Sequence, residues 1–181
     1  MTDKFNQMQQ IKREFFAYRN GIIADTLRKN GANYRIIFGL NLPQLVEIAN
    51  RNGKDRELAQ KLWENTSTRE SLLLAPMIFP AEDMDKATAL KWISEVSSAE
   101  VGDILCHRLL RHLPFAFELA TEIADNEKDL ERYCSLRLLF NLLPKHINEA
   151  EAIATKEAQR NNDVTKHLAQ QLIEEIEFLK E

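Results

Sequence analysis

Apolar residues recur along most of this chain at three- and four-residue intervals, the spacing that gathers them on one face of a helix. The clearest run is SSAEVGDILCHRLLRHLP, residues 97–114. In it Val101, Ile104, Leu105, Leu109 and Leu113 form one stripe, and Asp103, His107 and Arg111 form a second, polar one at four-residue steps. Ser97 and Glu100 stand as S-x-x-E, a capping box in which each side chain satisfies a backbone donor of the first turn. Pro114 supplies a stop, because it disfavours helical geometry in the residue before it. The pattern predicts one helix from Ser97 to Pro114 with a core face and an ordered polar face.

That helix is one of a series. Residues 3–30 carry Phe5, Met8, Ile11, Phe15, Phe16, Ile22, Ile23 and Leu27 in one or two helices, with Gly21 as a joint and Gly31 as a stop. Asn41-Leu42-Pro43-Gln44 caps the next helix, with Pro early, where its missing N–H matters least, and Asn52-Gly53 ends it. A helix from Asp55 to Glu64 is expected to bury Leu58, Leu62 and Trp63. Three cap-like starts then recur about thirty residues apart, at Ser67, Ser97 and Asn126. The helices they open run to Phe79-Pro80, Leu113-Pro114 and Leu143-Pro144, with shorter helices near Met84–Val96 and Phe115–Ala124 between them. A last pair spans Asn148 to Leu179, with Leu168, Leu172, Ile176 and Leu179 facing inward. No such unit buries its apolar face alone. The expected fold is all-α, a HEAT-like α-solenoid of stacked antiparallel helix pairs. It is read as a single helical-repeat domain over 1–181, with N-terminal helices in 1–53 and repeats over 55–181. The long helices are the candidates for a concave, partner-binding side.

Composition adds charge asymmetry and a compartment. The formal net charge is -4. Residues 1–60 hold ten Lys/Arg against six Asp/Glu, and the remainder fourteen against twenty-two. A basic front half suits phosphate, although the whole chain lacks the strong basicity of a dedicated nucleic-acid binder. Cys106 and Cys134 both lie in apolar helical runs, which suggests buried thiols in a reducing compartment. No run approaches the ~18 apolar residues of a membrane span, and the start lacks the apolar core of a signal peptide. A cytoplasmic, soluble protein is expected.

Nucleotide and hydrolase signatures are absent: GxGxxG, the P-loop, GxSxG and HExxH all fail to appear. Asp103 and His107 make half a metal site with no visible third ligand, so neither a metal nor another cofactor is expected. Trp63 and Trp92 close apolar stripes and read as core. Read without a function, Asp103, His107 and Arg111 are a solvated stripe of helix ion pairs worth about 0.3–0.5 kcal/mol each.

Several segments together resemble the HEAT-like-repeat DNA alkylation repair glycosylases. Phe38-Gly39-Leu40-Asn41-Leu42-Pro43-Gln44-Leu45 is similar to their "fGl-x-x-P-x-L" entry. Glu57-Leu58-Ala59 to Leu62-Trp63, followed by Thr68-Arg69-Glu70-Ser71-Leu72 and Ala75, is similar to the next helix pair. The likeness covers roughly residues 15–143. In that family a segment S-W-D-x-V-D opens a concave helix, its Trp packing on the nucleotide and its last Asp acting as the catalytic carboxylate. The corresponding residues here are Ser98-Ala99-Glu100-Val101-Gly102-Asp103, which keep the carboxylate as Asp103 and replace the Trp by Ala99. A later concave-face Trp of the family has no counterpart between Asp163 and Glu181. The resemblance implies alkylated double-stranded DNA as partner and hydrolysis of an N-glycosidic bond, with Asp103 catalytic. It places Arg132 on phosphate, with Arg69, Arg111, His107 and the position of Ala99 as further DNA contacts. A HEAT-like scaffold that binds DNA or a protein without chemistry is the alternative.

Overall fold

A computed structural model of the chain describes residues 2–181, with side chains from residue 7 onward. Phe5, expected in the first apolar stripe, therefore lies outside the described side chains. Eleven α-helices are found among the described residues: α1 Thr2–Ala17, α2 Gly21–Lys29, α3 Leu42–Asn52, α4 Arg56–Glu64, α5 Arg69–Ile78, α6 Lys86–Ser94, α7 Ala99–Arg108, α8 Ala116–Glu122, α9 Asp129–Leu142, α10 Ile147–Gln159 and α11 Lys166–Lys180. No strand accompanies them; Ile36 and Thr68 form a lone bridge. None of these helices is long and apolar enough to cross a membrane. The expected all-α class is what the chain adopts.

The chain packs as two compact units that divide after Asp83. In the first, α4 packs on α5, α3 on α5 and α1 on α4. Local signals set the ends of these helices. Asn41 and Gln44 form a reciprocal capping box at α3, with Pro43 inside the first turn. Asp55 caps α4 through Leu58 N–H. Asn20 caps α2 through Ile23 N–H, so α1 and α2 are separate helices meeting near Gly21. Every residue of α5 is buried, as expected of a helix that is largely apolar all round. Ile11, Phe15, Leu45, Ile48, Leu62 and Trp63 close the core around it.

A loop joins α2 to α3, and a single carboxylate organises it. Glu70, wholly buried in α5, accepts backbone N–H bonds from Phe38 (3.1 Å), Gly39 (2.9 Å) and Leu40 (3.4 Å). Arg69 Nη1 donates to Glu70 at 2.9 Å and to the Leu40 carbonyl at 3.2 Å. Gly39 has φ +81°, and a Cβ there would sit 2.2 Å from the Asn20 carbonyl oxygen. Only glycine permits that approach in that conformation. The cap-like start at Ser67 is corrected here: Thr68 is the N-cap, without a side-chain capping bond, and Glu70 holds the loop.

In the second unit α9 is the hub, packing against α6, α7, α8, α10 and α11. Leu105, Leu109 and Trp92 are buried, as expected, together with Leu138 and Leu139. The helix expected from Ser97 to Pro114 is shorter. Ser98, not Ser97, is its N-cap, accepting from Val101 N–H at 3.3 Å. It ends at Arg108, because Leu109 leaves helical geometry (φ -128°, ψ -63°), and a 3₁₀ turn over Leu110–His112 follows. The third start is also corrected, since α9 begins after Lys128 with no side-chain cap. Leu168, Leu172 and Ile176 face inward from α11, whereas Leu179 is exposed.

Candidate functional site

The polar positions of α7 are organised by α9, which lies close against it. Gly102 is buried at this crossing, and a Cβ on it would stand 3.2 Å from Cys134 Sγ and 3.5 Å from the Tyr133 ring. The missing side chain lets the two helices approach. Cys106 and Cys134 fill the same seam as small hydrophobes, Cys106 Sγ lying 3.5 Å from the Cys134 carbonyl. Burial, then its neighbour Cys134, pushes the Cys106 thiol well above its ordinary pKa, so it stays protonated.

That close crossing brings one turn of α9 to Asp103. Tyr133 Oη donates to Asp103 Oδ1 at 2.9 Å, and Arg137 Nε donates to the same oxygen at 2.6 Å. Arg137 Nη2 also reaches Tyr133 Oη at 3.4 Å, closing a triangle. The guanidinium lies 5.9 Å from the Tyr133 ring centroid and 5.7 Å from that of Phe140, within cation–π range of both. Burial, reinforced by the Asp103 charge, pushes the Tyr133 phenol up to about 12, so it remains a donor near neutrality. Burial works against the Arg137 charge, but Tyr133 and Asp103 outweigh it and raise its pKa above the ordinary value. The Asp103 side chain is 40% exposed, and both bonds fall on Oδ1, leaving Oδ2 without a bond to any described residue.

The other sequence candidates divide sharply. Ala99 opens α7 one turn before Asp103, hence on the same face. His107, one turn after Asp103, pairs with Asn141 (Nδ1···Oδ1 3.4 Å), so it is not the partner of Asp103. Arg111 leaves the stripe altogether: it sits in the 3₁₀ turn, its Nε 3.3 Å from His112 Nε2. Arg132 is not a free phosphate contact. It is 5% exposed, and its donors go to Glu157 Oε1 (3.0 Å), Asp129 Oδ1 (2.6 Å) and the carbonyls of Asn126 and Glu127 (both 2.8 Å). Thr165 completes this buried group by donating to Glu157 at 2.7 Å. Arg69, in the first unit, is likewise buried against Glu70 and Leu40. Arg132 and Arg69 hold the fold. Arg137, which sequence reasoning passed over, is the arginine at Asp103. The readable signal was its distance of 34 residues from Asp103, close to one repeat.

A model of the DNA alkylation repair enzyme family matches residues 11–179, nearly the whole chain. The chain belongs to that family. Among solved structures, one from "a new family of proteins related to the HEAT-like repeat DNA glycosylases with affinity for branched DNA structures" superposes with a TM-score of 0.78 at 16% identity. The superposition covers 91% of this chain and 73% of the other. At that identity the likeness shows the fold, a HEAT-like helical repeat. No curated protein matches the sequence. The family membership bears out the resemblance to the DNA alkylation repair family.

Proposed function

We propose that the chain acts in the repair of alkylated DNA, engaging the damaged nucleotide with the α7–α9 face and promoting release of an alkylated purine through Asp103. The arrangement of that carboxylate carries the reading. Two donors fix Oδ1, while Oδ2 is left without a bond to any described residue on a part-exposed face. Alkylation at a ring nitrogen makes a purine cationic and a good leaving group. What remains for the protein is to stabilise the oxocarbenium-like charge on the sugar and to position a water. Asp103 Oδ2 is the group for both tasks. Arg137 Nη1 makes no bond to a described residue and suits a backbone phosphate on the same face.

Release of alkylated purine bases from methylated DNA by purified protein tests this. Asp103→Asn is expected to lower release by roughly 10²–10³-fold, the scale for removing one preorganised charge-stabilising group. Ala99→Trp, on the same face, is expected to raise it, because an aromatic surface favours a cationic base. No release by wild type or by Ala99→Trp, while a family glycosylase works alongside, would end the catalytic reading.

One observation favours a second reading. Ala99 stands at the family's Trp position, and α11 holds no Trp. The structural neighbour is described by affinity for branched DNA. Under this reading the chain recognises DNA structure and leaves the glycosidic bond intact. Binding of a three-way junction over a linear duplex, with no base release, would establish it.

A further inference from the structure

The first unit displays a polar–aromatic stripe that its core does not explain. Lys12, Arg13 and Phe16 share the outward face of α1, at i, i+1 and i+4, and Arg19 follows just beyond the helix end at Ala17. On the other side of the helix Ile11 and Phe15 are completely buried, so the stripe points away from the packed side. Phe16 is 60% exposed, and the Arg19 guanidinium lies 3.8 Å over its ring. That is close cation–π contact, and it holds ring and charge together as one presented group. No carboxylate pairs with Lys12, Arg13 or Arg19 among the described residues. The carboxylate nearest in sequence, Glu14, is engaged by Arg51 (2.6 Å) and Asn52. The upstream stripe positions Gln9 and Gln10 are neutral.

We infer that this stripe is a nucleic-acid contact in its own right, taking phosphates on Lys12, Arg13 and Arg19 and an unpaired base on the Phe16 ring. The inference rests on the reading that DNA is the partner, and it adds a surface on α1 of the first unit. Charge complementarity decides for DNA over a second copy of the chain or an apolar partner. Three cations without carboxylate partners beside one ring would have to be desolvated by a protein surface. Against phosphates they release counterions instead. An exposed aromatic among cations is also the arrangement that holds single-stranded segments, since every base has a face to stack. The stripe should therefore favour DNA with an unpaired segment over a blunt duplex.

Fluorescence anisotropy with a labelled blunt duplex and the same duplex carrying a single-stranded tail tests this. The proteins are wild type, Phe16→Ala, Phe16→Trp and Arg13→Ala/Arg19→Ala, each substituted only at exposed positions and checked by circular dichroism. Wild type is expected to bind the tailed duplex more tightly. Phe16→Ala should remove roughly a fivefold to hundredfold preference, the scale of one stacked base, and Phe16→Trp should keep it. Arg13→Ala/Arg19→Ala should weaken both complexes and flatten the dependence of log K on log salt by roughly one per lost contact. If wild type binds these DNAs and the variants bind identically, the stripe is not a contact, whereas the DNA reading stands. If wild type binds neither DNA, the DNA reading fails and this surface falls with it. Self-association lost in Phe16→Ala, with DNA binding unchanged, would assign the stripe to a second copy and overturn the proposal.

Discussion

Arg69–Glu70 in the first unit and Arg137–Asp103 in the second are both arginine–carboxylate pairs on long helices, and they are built to opposite ends. Glu70 is enclosed, and every bond it accepts comes from the protein: three backbone N–H groups of the 38–40 loop and Arg69. Asp103 accepts only on Oδ1, stays part-exposed, and is held by an arginine whose Nη1 makes no bond to a described residue. Arg132–Glu157 belongs with the first kind, closed by Thr165 and two carbonyls. A buried charge survives only when it is fully bonded, and once fully bonded it has nothing to offer a ligand. Only an incompletely satisfied pair such as Arg137–Asp103 has bonds left to offer a ligand. That is the physical reason for preferring Arg137 over Arg132 at the site.

The comparison is broken most directly at Glu70. Removing this carboxylate strands three N–H donors of the 38–40 loop, so Glu70→Ala is expected to cost about 3–5 kcal/mol. Urea unfolding measures it. A loss under about 1 kcal/mol would mean that water readily replaces the carboxylate, and that Glu70 does not organise the loop.

What could be read from sequence follows the same division. The capping box of Asn41 and Gln44, the Asp55 cap, the stop at Gly53 and the buried Trp63 and Trp92 were legible, because each depends on neighbours within a turn or on one apolar stripe. The role of Glu70 was not legible, because its partners lie about thirty residues upstream. Arg132 was misread for a similar reason, since Glu157, 25 residues on, closes around it. Asp103 was legible through the family segment, yet its partners were not, for Tyr133 and Arg137 meet it only across the α7–α9 crossing that Gly102 permits. The break at Leu109 overrode a continuous helical pattern and took Arg111 off the stripe. Ile22, one of the apolar residues of the N-terminal helices, is 81% exposed, because amphipathic spacing says which face is inward and not where a face ends.

Asp103 supplies the contrasting, smaller effect. Its pair with Arg137 is half open to solvent, where such pairs contribute about 1 kcal/mol or less. Asp103→Asn should therefore shift the urea midpoint only slightly, even if base release is lost. A destabilisation approaching that of Glu70→Ala would place Asp103 among the architectural carboxylates and remove the argument for a site there. Raising salt sharpens the same point, since it should weaken the exposed pair and leave the buried one nearly unchanged.

The smallest expected effect lies at Asp129, an exposed carboxylate that sits between the two kinds of pair. A hydrogen bond from Asn162, then one from Arg132, holds its carboxyl below the usual aspartate range, and its place at the first turn of α9 suits a negative charge. Because the folded pKa is depressed, the stability it contributes is present above the unfolded value of about 3.9. That contribution is lost as pH falls through the folded value. Asp129→Asn should thus lower the melting temperature modestly at neutral pH, with the gap from wild type closing as the pH drops below 4. Wild type alone cannot isolate this, since Asp125, held low by Lys156, and Asp163, held low by Lys166, lose stability in the same window. The difference between wild type and Asp129→Asn, followed by thermal melts from pH 7 to pH 2, removes their contribution. A gap that stays constant with pH would show that Asp129 acts through its shape and hydrogen bonds and not through its charge. The Arg132 charge would then be balanced by Glu157, with Asp129 contributing a hydrogen bond only.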